Sequence, residues 1–365
     1  MNFDFSDDQR SMQQDLRGFL SDPQRPARSR KALEEGTGID RSLWGEMADL
    51  GWLGIRIPEE FGGSGLGTLE LALAAEEVGR VLAPIPFGSS ICGAAEAILR
   101  AGTPIQQEKY LPSLASGKEI GALAFAEKEG RLLLEGPVTA YRDGRIYGTK
   151  IAVPDGGIAT LAVVACVADG ELAAAIVPLD QSEISREVGQ SIDPSRSVAT
   201  LHCDGAEAEL LHGPGTLDEI LLTGAVLQAF EQIGGADTIF AITREYMDLR
   251  HAFGRPIASY QALKHRMADI YTAIELARSN AYYAAWALSV NSQELAEAAC
   301  CARVAATQAY QLATTEAIQL HGGIGFTWES DCHLFYRRAR WLGASLGGID
   351  EWRERLVREV DALVV

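Results

Sequence analysis

Arg250, Phe253 and Gln261 share one run, R-H-A-F-G-R-P-I-A-S-Y-Q, which is answered about sixty residues later by Q-L-H-G-G-I-G-F, Gln319 to Phe326. A guanidinium forks onto phosphate through parallel hydrogen bonds, and glycines let backbone N–H groups come close to an anion. An arginine, an aromatic ring, two glutamines and the pair Gly322–Gly323 therefore read as a binding edge for a phosphate-bearing cofactor. Helices must hold that edge. The pattern K-H-R-M-A-D-I-Y-T-A-I-E-L-A-R, starting at Lys264, supplies one of them.

Composition limits the partners. A chain of 365 residues with 47% hydrophobic and 22% charged residues can build a sizeable globular core. The net charge of -18 repels nucleic acid and gives no long-range attraction to an anionic substrate, so any phosphate site must be made locally. The start, M-N-F-D-F-S-D-D-Q, carries no basic leader or apolar run, and no stretch reaches the ~18 apolar residues that span a bilayer. These features lead us to expect a cytoplasmic protein. The six cysteines show no C-x-x-C spacing and the six histidines no H-E-x-x-H cluster, so buried thiols are expected rather than disulfides or a metal site.

The residues divide the chain into three parts. Residues 1–117 read as helical, with a helix opened by Ser6, a second closed by glycine after S-L-W-G-E-M-A-D-L, and a third over T-L-E-L-A-L-A-A-E-E-V-G-R. Between the last two lies I-P-E-E-F-G-G-S-G-L-G, too rich in glycine for a helix. In 118–215 the period changes to short runs, R-I-Y-G-T-K-I-A-V-P, A-T-L-A-V-V-A-C-V and L-A-A-A-I-V-P-L, bounded by D-G and G-G turns. Residues 216–365 are helical again. This predicts an α+β chain with a small β domain between two helical ones.

R-x-x-F-G-x-x-I-x-x-x-Q followed at this distance by Q-x-x-G-G-x-G-F resembles the C-terminal domain of the acyl-CoA dehydrogenases. The order L-G-x-x-G, P-E-x-x-G-G-x-G, E-E-x-G-R resembles their N-terminal helical domain. The resemblance implies a middle β-barrel or sandwich, a C-terminal four-helix bundle, and FAD shared between two subunits. It assigns Arg250 to the pyrophosphate, Phe253 to packing on the cofactor, Gln261 to a hydrogen bond and Ile257 to the groove wall. Gln319, Gly322 and Gly323 would meet the adenosine side.

The positions that the resemblance gives to the flavin ring and to catalysis are altered. T-E-P-x-x-G-S-D becomes A-E-K-E-G-R-L-L, leaving Ala126 for a hydroxyl and Leu132 for a serine. W-[IV]-T-N becomes A-V-P-D, with Ala152 for the tryptophan and Pro154 for the threonine. E-G-T-x-Q becomes L-G-G-I-D, which puts Leu346 at one site of the catalytic glutamate, Gly348 at the threonine and Asp350 at the glutamine. The glutamate's other site, on the first helix of the C-terminal domain, is Gly224. Glu231 lies two turns beyond it, a displacement of ~10 Å on roughly the same face. The chain is thus expected to lack a catalytic residue and to pair, as α2β2, with a glutamate-bearing homologue that binds most of a bulky acyl-CoA, such as a steroid side chain. An electron-transferring flavoprotein is the acceptor the resemblance suggests. Three other readings stay open: a self-sufficient homotetrameric dehydrogenase using Glu231, a flavin monooxygenase of the same fold, and a relic that binds no cofactor.

Overall fold

The computed structural model describes residues 5–21, 25–128, 132, 138–212 and 216–364. Six helices come first: α1 (Asp7–Leu20), α2 (Arg25–Glu35), α3 (Arg41–Asp49), α4 (Thr68–Arg80), α5 (Glu96–Ala101) and α6 (Pro104–Ala115). Local chemistry fixes their ends. The Ser6 hydroxyl accepts from Gln9 N while the Gln9 side chain accepts from Ser6 N, so two backbone donors at the start of α1 are satisfied reciprocally. Between α4 and α5 the segment Phe87–Ala95 winds as a π-helix, which no periodicity in F-G-S-S-I-C-G-A-A announces.

Strands follow: β1 (Gly121–Ala124), β2 (Ala140–Arg142), β3 (Arg145–Pro154), β4 (Leu161–Ala168), β5 (Glu171–Pro178), β6 (Ile184–Val188), β7 (Val198–Glu207) and β8 (Glu209–Leu210). They form one sheet in the order β6-β7-β3-β2-β4-β5-β8, with β1 beside β4. Among the described residues its edge strands β6 and β8 do not pair with each other, so the sheet is open. The β3–β7 register slips between Lys150 and Val153, and Ala152 takes φ 49° there. Such a bulge re-aims the strand, and here it brings Ala152 and Pro154 to the wall of a hollow.

The third part is α7 (Thr216–Leu249), α8 (Gln261–Ser289), α9 (Leu295–His321), α10 (Cys332–Ser345) and α11 (Ile349–Val364). The first four make the expected bundle, and α11 packs on α9 as a fifth helix. The passage from strands to α7 runs through 213–215, outside the described residues, and that is where the expected 215/216 boundary falls. No described helix is long and apolar enough to cross a membrane, and no described group of three or more His, Cys, Asp or Glu side chains could hold a metal. All six thiols are free, and five of them are buried.

Helices α4 and α7 cross with their backbones in contact. A Cβ at Gly79 would lie 2.0 Å from the Glu231 carbonyl oxygen, and one at Gly234 would lie 1.9 Å from that of Glu76. Only glycine allows this reciprocal approach. It fixes the height of Glu231 on α7 against the N-terminal helices.

Candidate functional site

Arg250 directly follows α7, and a hairpin with a two-residue loop comes next, in which His251–Ala252 pairs with Arg255–Pro256. Phe253 sits at the hairpin tip with φ 52° and is 98% exposed. The hairpin is held from beneath: Tyr260 Oη donates to the Ala252 carbonyl at 2.9 Å, and the Arg255 guanidinium lies 4.0 Å above the Tyr260 ring. Arg250 is tied by its backbone alone. Its N donates to Tyr246 O and its carbonyl accepts from Ile257 N, both at 2.8 Å. Its exposed guanidinium has no hydrogen-bond or ion-pair partner among the described residues.

The second half of the edge is brought to the first through Tyr246, one turn before Arg250. The Tyr246 ring stacks on His321 at 4.2 Å, and its hydroxyl donates to the His321 carbonyl. Gln319, Gly322 and Gly323 are therefore set close to Arg250, all exposed. Gly322, at φ 62°, ends α9. Gln319 lines a surface hollow with Tyr336 and Arg337. Gln261 is exposed at the start of α8, with Nε2 3.4 Å from His265 Nε2. Ile257 differs from the expectation. It is buried in the main core where its turn packs on α7 and α8, so it supports the hairpin from below instead of lining a surface groove.

The altered positions meet elsewhere. Ala126, Leu132, Ala152, Pro154, Leu346 and Gly348 all line one hollow of about 300 Å³, which none of the exposed set lines. Asp350 stands apart, paired with Arg353 at 2.9 Å. Among the described residues the one carboxylate on that wall is Glu351, whose two oxygens accept from Leu132 N (2.8 Å) and Gly348 N (3.1 Å).

Leu346 also lines a second, small cavity of about 30 Å³, together with Gly224, Gln228 and Glu231 from α7 and Trp341 and Ser345 from α10. Sequence reasoning missed the charges that surround Glu231 there. Its Oε1 lies 3.6 Å from Arg196 Nη1 and 3.5 Å from Arg338 Nη1. Arg196 forks onto Asp155 at 3.0 and 2.5 Å and lies 4.2 Å over the Trp341 ring. Arg338 donates to Asp193 at 2.6 Å. All five groups are buried. Burial alone would raise Asp193, but Arg338, Ser195 and Arg196 hold it below the ordinary carboxylate range. Burial pushes the neighbouring Cys92 thiol far up, and Glu231 adds to the effect, so Cys92 is inert as a nucleophile. D-P-S-R (Asp193–Arg196) and R-A-R-W (Arg338–Trp341) were the only sequence traces of the network, and nothing in their spacing links them.

Two family profiles match the chain: "Acyl-CoA dehydrogenase, N-terminal domain" over residues 6–118 and "Acyl-CoA dehydrogenase, C-terminal domain" over residues 213–360. Acyl-CoA dehydrogenase IpdE2 of Mycobacterium tuberculosis is 36% identical over 337 residues, covering 92% of each chain. Among solved structures, the ChsE4-ChsE5 complex from the same organism superposes with a TM-score of 0.90 at 26% identity, covering 99% of each chain. The Tcur3481-Tcur3483 steroid ACAD superposes at 0.91 with 28% identity, covering 98% of each.

Proposed function

The chain belongs to the acyl-CoA dehydrogenase family, whose members bind FAD, and from that premise we propose that it is one subunit of a heteromeric enzyme. In this reading a glutamate-bearing homologue holds the flavin ring, the thioester and the base. This chain closes over the ADP half of the cofactor with Arg250, Phe253, Gln261, Gln319, Gly322 and Gly323.

One observation carries the reading: the two walls expected to present a carboxylate present Leu346 and Gly224, packed against each other. The reaction needs a base at the α-carbon while FAD, when bound, takes hydride from the β-carbon. Neither side chain moves a proton. The fit to FAD is therefore divided. The exposed edge suits a pyrophosphate, since the Arg250 guanidinium has no partner among the described residues and added Cβ atoms at Gly322 and Gly323 would meet nothing within 4 Å. The hollow offers a ring neither the hydroxyl nor the indole that the resemblance calls for, having Ala126 and Ala152 instead.

A two-protein complex and a steroid ACAD among the similar structures support an unlike-subunit assembly acting on a bulky acyl-CoA. Electron-transferring flavoprotein is the proposed acceptor, and the cytoplasm the proposed compartment. The second reading, a self-sufficient dehydrogenase, draws on Glu231 lining the same cavity as Gly224.

Co-expression with a glutamate-bearing homologue, followed by counting FAD per chain, tests the proposal. The expected result is one FAD per unlike pair, turnover in the complex, and a colourless or poorly soluble chain when expressed alone. A yellow homo-oligomer with dehydrogenase turnover overturns it.

A further inference from the structure

Helix α2 reaches from the N-terminal helices to the far end of the exposed edge. Its residues Ser29, Ala32 and Leu33 are buried on one face, where Ser29 Oγ donates to the Leu82 carbonyl at 2.9 Å. Arg30 and Glu34, one turn apart, lie together on another face. Both meet residues 327–331, the loop that directly follows the short turn Gly322–Phe326.

These contacts form a clamp. The Arg30 guanidinium donates to the Trp328 carbonyl and, at 3.3 Å, to the Glu329 carbonyl, and it pairs with Asp331 Oδ1 at 2.6 Å. Glu34 Oε1 accepts from Trp328 Nε1 at 3.0 Å. The Trp328 ring also stacks on His333 of α10, with centroids 4.8 Å apart. One guanidinium thus holds two carbonyls and a carboxylate of a single loop, which requires its planar fork.

The turn ahead of this loop has little packing of its own. Of its five residues only Gly325 is buried, and Ile324 and Phe326 are exposed. Its start is tied to α7 through Tyr246 and His321, and its end runs into the clamped loop. Trp328 also lines the surface hollow that Gln319 lines, so a shift of the loop would alter both parts of the edge. The Arg30 and Asp331 side chains are 22% and 42% exposed. A pair so exposed contributes little to global stability. Its effect is local: an edge that is already ordered loses less freedom when a ligand binds.

We propose that Arg30 and Glu34 are positioning residues, which hold Gly322 and Gly323 in the form that receives the ADP half of FAD, given the reading of that edge as the ADP site. The N-terminal helical part of the chain then sets the affinity of an edge built by the C-terminal part.

The test is FAD titration of the apo-complex together with amide hydrogen exchange over residues 322–331. Arg30→Ala is expected to weaken FAD binding about tenfold. It should also speed exchange over 322–331 while leaving the urea midpoint nearly unchanged. Arg30→Lys keeps a charge for Asp331 without the fork and should recover only part of the affinity. Glu34→Gln still offers Trp328 an acceptor and should match wild type, whereas Glu34→Ala should weaken FAD about threefold. If Arg30→Ala does not fold, Arg30→Lys and Glu34→Ala carry the same two readouts. A merely structural tie would lower the urea midpoint and leave FAD affinity alone. Unchanged FAD affinity or unchanged exchange over 322–331 in these variants overturns the proposal. Arg250→Ala separates the two levels: if it weakens FAD binding and Arg30→Ala does not, the clamp fails and the edge stands. If neither weakens it, the reading of the edge fails as well.

Discussion

Gly224 on α7 faces Leu346 just past the end of α10, and a Cβ added at Gly224 would lie 2.9 Å from Leu346 Cδ1. That atom is the far end of a rotatable side chain beside open space in two cavities. Gly224→Ala should therefore be absorbed by a small Leu346 movement. The alanine also gains up to ~1 kcal/mol of helix propensity over glycine. The expected change in unfolding free energy is within about 1 kcal/mol of zero, read by urea denaturation. A loss above about 3 kcal/mol would show that the contact is rigid.

Glu231→Gln bears on the self-sufficient alternative. Removing a positioned general base costs ~10²–10⁴ in rate. Held between Arg196 and Arg338 and about two turns from Gly224, Glu231 is expected to leave turnover of the flavin-loaded complex within a few-fold of wild type. A loss of a hundredfold or more with FAD still bound favours the self-sufficient reading.

Asp193 makes the buried network sensitive to pH. Asp193→Asn leaves Arg338 without its 2.6 Å partner, and breaking a buried pair costs roughly 3–5 kcal/mol. The folded-state pKa of Asp193 is lowered, so its contribution is complete above the unfolded value of ~3.9 and is lost as pH falls through the folded value. Urea unfolding should show a constant gap between wild type and variant from about pH 8 to 5 and a narrowing gap below about pH 4. A gap that instead narrows towards alkaline pH contradicts the assignment.

The parts of this molecule that could be read from sequence are those whose cause is local. The helix over T-L-E-L-A-L-A-A-E-E-V-G-R is α4, residue for residue, because its apolar spacing and terminal residues lie within one stretch. Strands β3, β4 and β5 follow their β-branched and apolar runs in the same way. The exposed edge was legible because each half is contiguous in sequence, whereas Ile257 was misplaced because a spaced motif says nothing about which way a side chain turns. The charges around Glu231 of α7 come from the β3–β4 turn, the loop before β7, and helix α10. Only tertiary packing brings Asp155, Arg196 and Arg338 together, and no period or spacing carries that information. The π-helix was hidden for a related reason: small residues in F-G-S-S-I-C-G-A-A fit several windings, and the packing against β1 and α7 decides between them.

Arg250 is the residue on which the proposed division of the cofactor is most exposed. With no partner among the described residues, its guanidinium is free to fork onto a pyrophosphate whose ring, in the proposal, is held by another subunit. A charge-assisted hydrogen bond contributes roughly 1.5–3 kcal/mol, and 1.4 kcal/mol is tenfold in affinity. Arg250→Ala should therefore weaken FAD binding by the complex roughly ten- to a hundredfold. Arg250→Lys should restore only part of that, because an ammonium is a point charge without the fork. Folding should be little affected, since the residue is held by backbone hydrogen bonds to Tyr246 and Ile257 that the substitution keeps. Turnover per bound flavin should also hold, because the proposal puts the base and the ring pocket in the partner. Titrating the apo-complex with FAD and then normalising turnover to bound flavin separates these effects. Unchanged FAD affinity in Arg250→Ala would remove the arginine from the cofactor edge and, with it, the assignment of that edge to the ADP half.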